Sequence, residues 1–197
     1  MKRIILLVSI LVIQACAFTD ATLQVQHDES SNFKGPIVEV NPLLFSSPAL
    51  VDNRDDIDRI GWKKNGFGMQ TADITTANPV VDIVSDSIRA GLIQNGHSVV
   101  DSSRVSILGS VDRFWFESDM NFWTVEFTGD IQCRLIFVDN NTKEEIYKSD
   151  YSGSYSEKSG GGLNKTWQRV MGKAVDNMVE DVMFDEELVE ALSSLID

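Results

Sequence analysis

The sequence predicts an α+β domain. Its sheet is mainly antiparallel, its elements run in the order β-α-β-β-β-α-α, and its helices pack on one face. Three observations carry this reading. The stretch from Trp123 to Val138 alternates strictly: Trp123, Val125, Phe127, Ile131, Cys133, Leu135 and Phe137 share one face, and Thr124, Glu126, Thr128, Asp130, Gln132 and Arg134 share the other. Period two over that length defines a half-buried antiparallel strand. Two other stretches repeat at helical spacing, Val80-Val84-Ile88-Leu92 and Trp167-Val170-Met171-Ala174-Val175-Met178-Val179-Val182. Asn95-Gly96, Asp139-Asn140-Asn141-Thr142 and Ser159-Gly160-Gly161-Gly162 separate the elements with turn chemistry.

In chain order, an extended region runs from about Ile37 to Val51. Pro42 and Pro48 each remove a ladder donor, so this is an edge strand or two short ones. Residues 52–68, charged and then glycine-rich, read as a long irregular loop. Asn78 serves as N-cap and Pro79 occupies the first turn of the first helix, which Gly96 closes as a left-handed cap. A short strand at 98–100 and a long one from Val105 to Glu117 follow, with Gly109 the candidate bulge. Glu145 to Tyr155 completes a three-stranded meander, with Tyr147, Tyr151 and Tyr155 on one face. The long helix comes next. Asp185 then caps a short last helix that turns Leu188, Leu192 and Leu195 inward.

Composition excludes several functions. The chain has 197 residues, 43% hydrophobic and 24% charged, as a folded domain requires. With 17 basic and 30 acidic residues the net charge is −13, which excludes a broad grip on nucleic acid or polybasic docking on anionic lipid. Two cysteines and two histidines make neither a zinc ribbon nor a disulfide framework, so no metal and no cofactor is expected.

Residues 1–15 have the grammar of a signal peptide. Lys2 and Arg3 precede the apolar run Ile4 to Ile13, which is too short for a spanning helix of ~20 residues. The run ends in Ile13-Gln14-Ala15-Cys16, which resembles a bacterial lipobox. The resemblance implies cleavage before Cys16 and palmitate-type acylation there, and so a membrane anchor. Ala17, where Asp usually marks inner-membrane retention, implies the periplasmic face of a Gram-negative outer membrane. Residues 16–36 then form the lipidated N-terminus and a polar, flexible tether, and 37–197 a single periplasmic domain.

Each candidate site has a plainer alternative. Cys133 shares its strand face with Ile131 and Leu135, and packing outweighs thiol chemistry. The cluster Asp52, Arg54, Asp55, Asp56 and Asp58 fails the EF-hand pattern, because Arg54 takes the third position and Ile57 the sixth; an Asp52–Arg54 pair is the simpler reading. Asn164 breaks the phosphate-loop likeness of the glycines before Lys165. His97 has no neighbouring nucleophile, and no catalytic motif occurs. Trp115, Phe122 and Trp123, with Phe114 and Phe116, crowd the tip between the two long strands and form a candidate binding surface unless helices or the N-terminal segment cover them. Asp176 and Glu180, one turn apart, read as an exposed acidic face of the long helix.

These parts in order resemble the YajG-like family of bacterial envelope lipoproteins: the lipobox, Val51-Asp52-Asn53-Arg54, Leu92-Ile93-Gln94-Asn95-Gly96, Thr124-Val125, Tyr151-Ser152-Gly153, and a closing helix with Asp185 near its end. The resemblance covers most of residues 45–195 and supplies no catalytic residues. The expectation is a non-enzymatic lipoprotein that binds another envelope protein or a glycan. The alternative is an accessory subunit of a larger envelope machine, such as a transport or flagellar collar assembly.

Overall fold

The computed structural model describes residues 18–120, 124–159 and 164–195. Cys16, Phe122, Trp123 and the glycines 160–162 lie outside them. The domain is a mixed α+β fold with one large, mostly antiparallel, open sheet. Its backbone is a meander of three long strands, β7 (Val105–Met120), β8 (Val125–Asp139) and β9 (Glu145–Ser159), paired antiparallel. The buried side of β8 carries Phe127, Ile131, Cys133, Leu135 and Phe137, the face its alternation predicts.

The other strands are short and line the second edge of β7. They are β1 (Ala21–Leu23), β2 (Leu44–Phe45), β3 (Ala49–Asp52), β4 (Gly61–Lys64), β5 (Gln70–Thr76) and β6 (Ser98–Val99). β2, β3 and β4 pair parallel with β7 one after another along its length. β4 pairs antiparallel with β5, and β1 adds parallel to β5. The element order is therefore longer than expected, and it corrects the reading of 52–68 as loop up to the start of β5. β4 and β5 carry almost no apolar alternation, since only Ile74 in β5 is buried, and they exist because β7 and β4 offer open ladders. Part of the expected first extended region, Pro36–Glu39, is a 3₁₀ turn with Pro at its start.

The bulge in β7 sits at Asp112 and not at Gly109, which pairs regularly with Leu135. The extra residue changes the strand's phase. Val105, Ile107 and Val111 point into the core before it, and Phe114 and Phe116 after it. Asn53 ties the bulge down, its Nδ2 donating to Asp112 Oδ1 at 2.7 Å.

Three helices follow the sequence periodicity: α1 (Val80–Gln94), α2 (Asn164–Met183) and α3 (Glu186–Ser193). Pro79, not Asn78, holds the N-cap of α1 and supplies no side-chain bond; Gly96 closes the other end at φ +88°. α2 lies on β8 and β9, and α1 packs against α2 through Gly91, which faces Val179 and Met183. Asp185 caps α3, accepting from Leu188 N at 3.1 Å and from the Tyr151 hydroxyl at 2.7 Å. Burial and the Asp185 carboxylate raise the Tyr151 pKa well above the usual phenol value, so its hydroxyl stays a donor.

The expected tether at 16–36 is, over its described part, domain. Ala21, Leu23, Val25 and Phe33 are buried, and β1 belongs to the sheet. Side chains from the helices stitch this segment down. Gln94 accepts from Phe33 N at 3.0 Å and donates to Ser31 O at 3.2 Å. Asn95 accepts from Gly35 N at 3.0 Å and donates to Phe33 O at 2.8 Å. Asp176, expected on an exposed face, is 2% exposed; it accepts from Asp28 N at 3.1 Å and Ser31 Oγ at 2.7 Å and pairs with Lys173 at 3.4 Å. The exposed acidic face read on α2 therefore keeps Glu180 and loses Asp176. Asp176 faces the N-terminal segment, and Asp181 accepts from Ser152 N at 2.9 Å.

Candidate functional site

One end of the domain gathers the pieces of a site. β4 runs parallel to β7 with Gly61 opposite Phe116, so the turn after β4 lies at the same end as Met120, the last residue of β7. The start of β8, the end of β9 and the start of α2 meet there too, because Val125 pairs with both Met120 and Ser159.

Trp62 in β4 stands at the centre. Its ring meets Trp115 edge to face, with centroids 4.8 Å apart, and the Arg59 guanidinium lies 5.6 Å from its centroid. Arg59 is itself held by Asp56 and Asp73, each at 2.8 Å. On the helix side, Trp62 borders a groove of about 760 Å³. Its apolar wall is Phe116, Phe127, Val125, Met120 and Trp167, and Lys63, Lys64 and Lys165 stand at its rim. Phe116 and Phe127 stack at 5.9 Å beneath Trp167, which lies 5.4 Å from Phe116. The Trp167 Nε1–H is buried and has no hydrogen-bond partner among the described residues. A tryptophan nitrogen only donates, and buried donors are almost always paired, so this one is an exception in an otherwise apolar cluster.

On the open face of the sheet, Trp62 and Trp115 line a smaller hollow of about 220 Å³ with Arg54, Asp55, Asp56 and Arg113. Trp115 Nε1 donates to Glu117 at 3.1 Å, and Lys64 pairs with the same carboxylate. Burial works against that carboxylate, but Lys64 and Trp115 more than offset it and hold Glu117 below its usual range. The loop under the hollow is closed by Arg54, whose Nε and Nη2 reach Asp52 at 2.8 Å each while Nη1 donates to Arg59 O at 2.8 Å. This is the Asp52–Arg54 pair expected from sequence. Burial opposes the Asp52 carboxylate as well, and Arg54 nevertheless holds its pKa low.

Of the predicted binding residues, Trp115 is half-buried at this site, while Phe122 and Trp123 lie outside the described residues. Phe114 and Phe116 are 1% exposed and belong to the core. Sequence reasoning missed Trp62, hidden in a stretch read as loop, and took Trp167 for plain core.

The reactive residue types are occupied elsewhere. His97 is buried; its Nδ1 accepts from Leu43 N at 3.2 Å, so its Nε2–H donates to Ile37 O at 3.2 Å. Burial lowers its pKa and keeps the ring neutral. Cys133 is buried against Met178, and burial pushes its thiol up to about 12. Among the described residues no group of three or more His, Cys, Asp or Glu side chains could hold a metal ion. What the described residues offer at this end is a groove with apolar walls and a charged rim.

The sheet and its helical cover define a mixed α+β domain. The chain belongs to the family Lipoprotein_16, described as an uncharacterised lipoprotein, whose model matches residues 49–193. No curated protein matches the sequence. Among solved structures, protein XCC0632 from Xanthomonas campestris, of family DUF330, shares the fold at 12% identity and a TM-score of 0.56, over 89% of this chain and 97% of that one. Looser likenesses are the hypothetical protein CT253 from Chlamydia trachomatis (7% identity, TM-score 0.46, 78% of this chain and 99% of that one) and a minor lipoprotein from Acinetobacter baumannii (9%, 0.40, 80% and 95%). Among the described residues no helix is long and apolar enough to cross a membrane.

Proposed function

We propose that this chain is a YajG-like outer-membrane lipoprotein, acylated at Cys16, whose periplasmic domain binds another envelope component without catalysing a reaction. The observation that supports the binding reading is the groove itself, with Phe116, Phe127, Met120 and Trp167 along its wall and lysines at its rim. Pockets that recognise ligands combine apolar walls with a few aimed polar groups, which is the composition here. The structural employment of His97 and Cys133 supports a non-enzymatic role.

A photo-crosslinking residue at Trp62, in living cells, is the direct test. The reading expects one discrete adduct, reduced several-fold by Trp115→Ala on the other side of the Trp62 ring. An adduct pattern no different from that of the same crosslinker at Ile93, exposed at the far end of α1, contradicts it. The mass of the adduct distinguishes a protein partner from a glycan.

A further inference from the structure

The anchor reading fixes which end of the domain meets the membrane. β1 runs parallel to β5, with Ala21 beside Ile74, so the chain ahead of Ala21 heads back toward the β4–β5 turn. Asp20 Oδ1 accepts from Asp73 N at 3.0 Å, and Thr19 O accepts from Lys63 Nζ at 2.7 Å, which hold it on that course. Thr19 lines the groove described above. Cys16 lies five residues before Ala21, a reach of at most ~18 Å when fully extended. A lipid on Cys16 therefore cannot hold the domain at a distance, as a long tether would. It brings this end to the bilayer.

That end presents large apolar side chains to solvent. Phe67 is 90% exposed, Phe18 65%, Met69 59% and Met120 49%. Phe67 does not sit on a loose loop. Asn65 Oδ1 accepts from Phe67 N at 3.0 Å and Met69 N at 3.1 Å, Asn65 N donates to Met69 O at 2.9 Å, and Gly68 takes φ +78° to close the turn. The well-formed turn holds Phe67 outward beside Met69, and with Met120 and Phe18 it gathers exposed apolar side chains at one end, the composition that a lipid interface takes up.

We propose that this end of the domain rests in the bilayer interface, with Phe67, Met69 and Met120 entering it beside the acylated N-terminus. The proposal rests on the anchor at Cys16. Charge is not the attraction, because Lys63, Lys64 and Lys165 share this end with Asp20, Glu117 and Asp119, and Lys64 pairs with Glu117. The contact is apolar and so insensitive to salt and to the fraction of anionic lipid. The two contacts then divide the work: the acyl chains hold the domain at the surface, and the turn sets its orientation, with the groove opening next to the membrane.

The test uses the full lipidated chain in vesicles of phosphatidylcholine and phosphatidylglycerol, some carrying nitroxide-labelled lipid. A single environment-sensitive probe is placed through Phe67→Cys or, in a second sample, Ile93→Cys; native Cys133 is buried and does not take the label. The probe at 67 is expected to shift to the blue and lose fluorescence several-fold to the quencher, equally at low and high salt, while the probe at 93 does neither. Equal quenching at the two positions, or none at 67 in vesicle-bound protein, overturns the proposal and leaves the anchor standing. The mass of the N-terminal peptide from the same sample reports the anchor itself; a peptide without acyl groups overturns both readings together.

Discussion

Replacing Asp176 with Ala is expected to destabilise the domain by roughly 3 kcal/mol, an effect of the size seen when a hydrogen-bonded charge is removed from a buried site. The carboxylate accepts from Asp28 N and Ser31 Oγ, and both lose their partner in the variant. Lys173, which bridges Asp176 and Asp28, keeps only the second. The damage is expected to be local first: residues 18–35 come away from the groove between α2 and the end of α1, and a protease cuts there before the sheet unfolds. Asp176→Asn retains an acceptor and should recover part of the loss. Thermal unfolding with limited proteolysis checks both statements. An unchanged melting temperature for Asp176→Ala would return Asp176 to the solvated face that helical periodicity alone suggests.

Gly153→Ala is expected to be as severe for a different reason. A Cβ at 153 would stand 2.1 Å from Ala174 O and 2.3 Å from Met178 N, which are backbone atoms of α2 and cannot rotate away. Gly129 on β8 makes a similar, softer contact, 3.0 Å from the Ala174 Cβ. These two glycines let α2 lie against the sheet closely enough for Val170, Ala174 and Met178 to be fully buried. One added methyl must lift the helix and open the core behind it. The cost is about 3 kcal/mol, the upper part of the range for overpacking. Chemical denaturation of the purified variant measures it, and a loss below ~1 kcal/mol would mean that α2 shifts along the sheet at little expense.

The meander and the helices were legible because their side chains decide their faces by burial. Phe127 to Phe137 on β8 and Val170 to Val182 on α2 face inward as their periods require. Short strands were not legible where a neighbouring ladder, not a hydrophobic face, makes the strand. β5, with Ile74 alone buried, is the clear case, and Trp62 was lost with the β4 that carries it. The segment from Ala21 to Phe33 misled by composition. Its polar residues outnumber its apolar ones, yet Ala21, Leu23 and Val25 alternate inward in the manner of a strand. Asp176 shows the limit of the helical wheel. Its position on α2 looks solvent-facing until the N-terminal chain crosses over it, and no local pattern announces a contact 148 residues away in sequence. The bulge at Asp112 is similar: it puts Val111 and Phe114 on one buried face, where a regular strand would set them on opposite faces.

The acyl group proposed at Cys16 is the central claim about this domain. On it rest the proposed orientation at the bilayer and the placing of the aromatic groove beside the membrane, while Ala17 supplies the expected outer membrane. Growth of cells with radiolabelled palmitate, comparing the native chain with Cys16→Ser, measures it directly. The native protein is expected to carry the label and fractionate with the outer membrane, and the variant to remain an unlabelled, uncleaved precursor. Label retained by Cys16→Ser, or a native chain that takes up none, would contradict the account at its foundation.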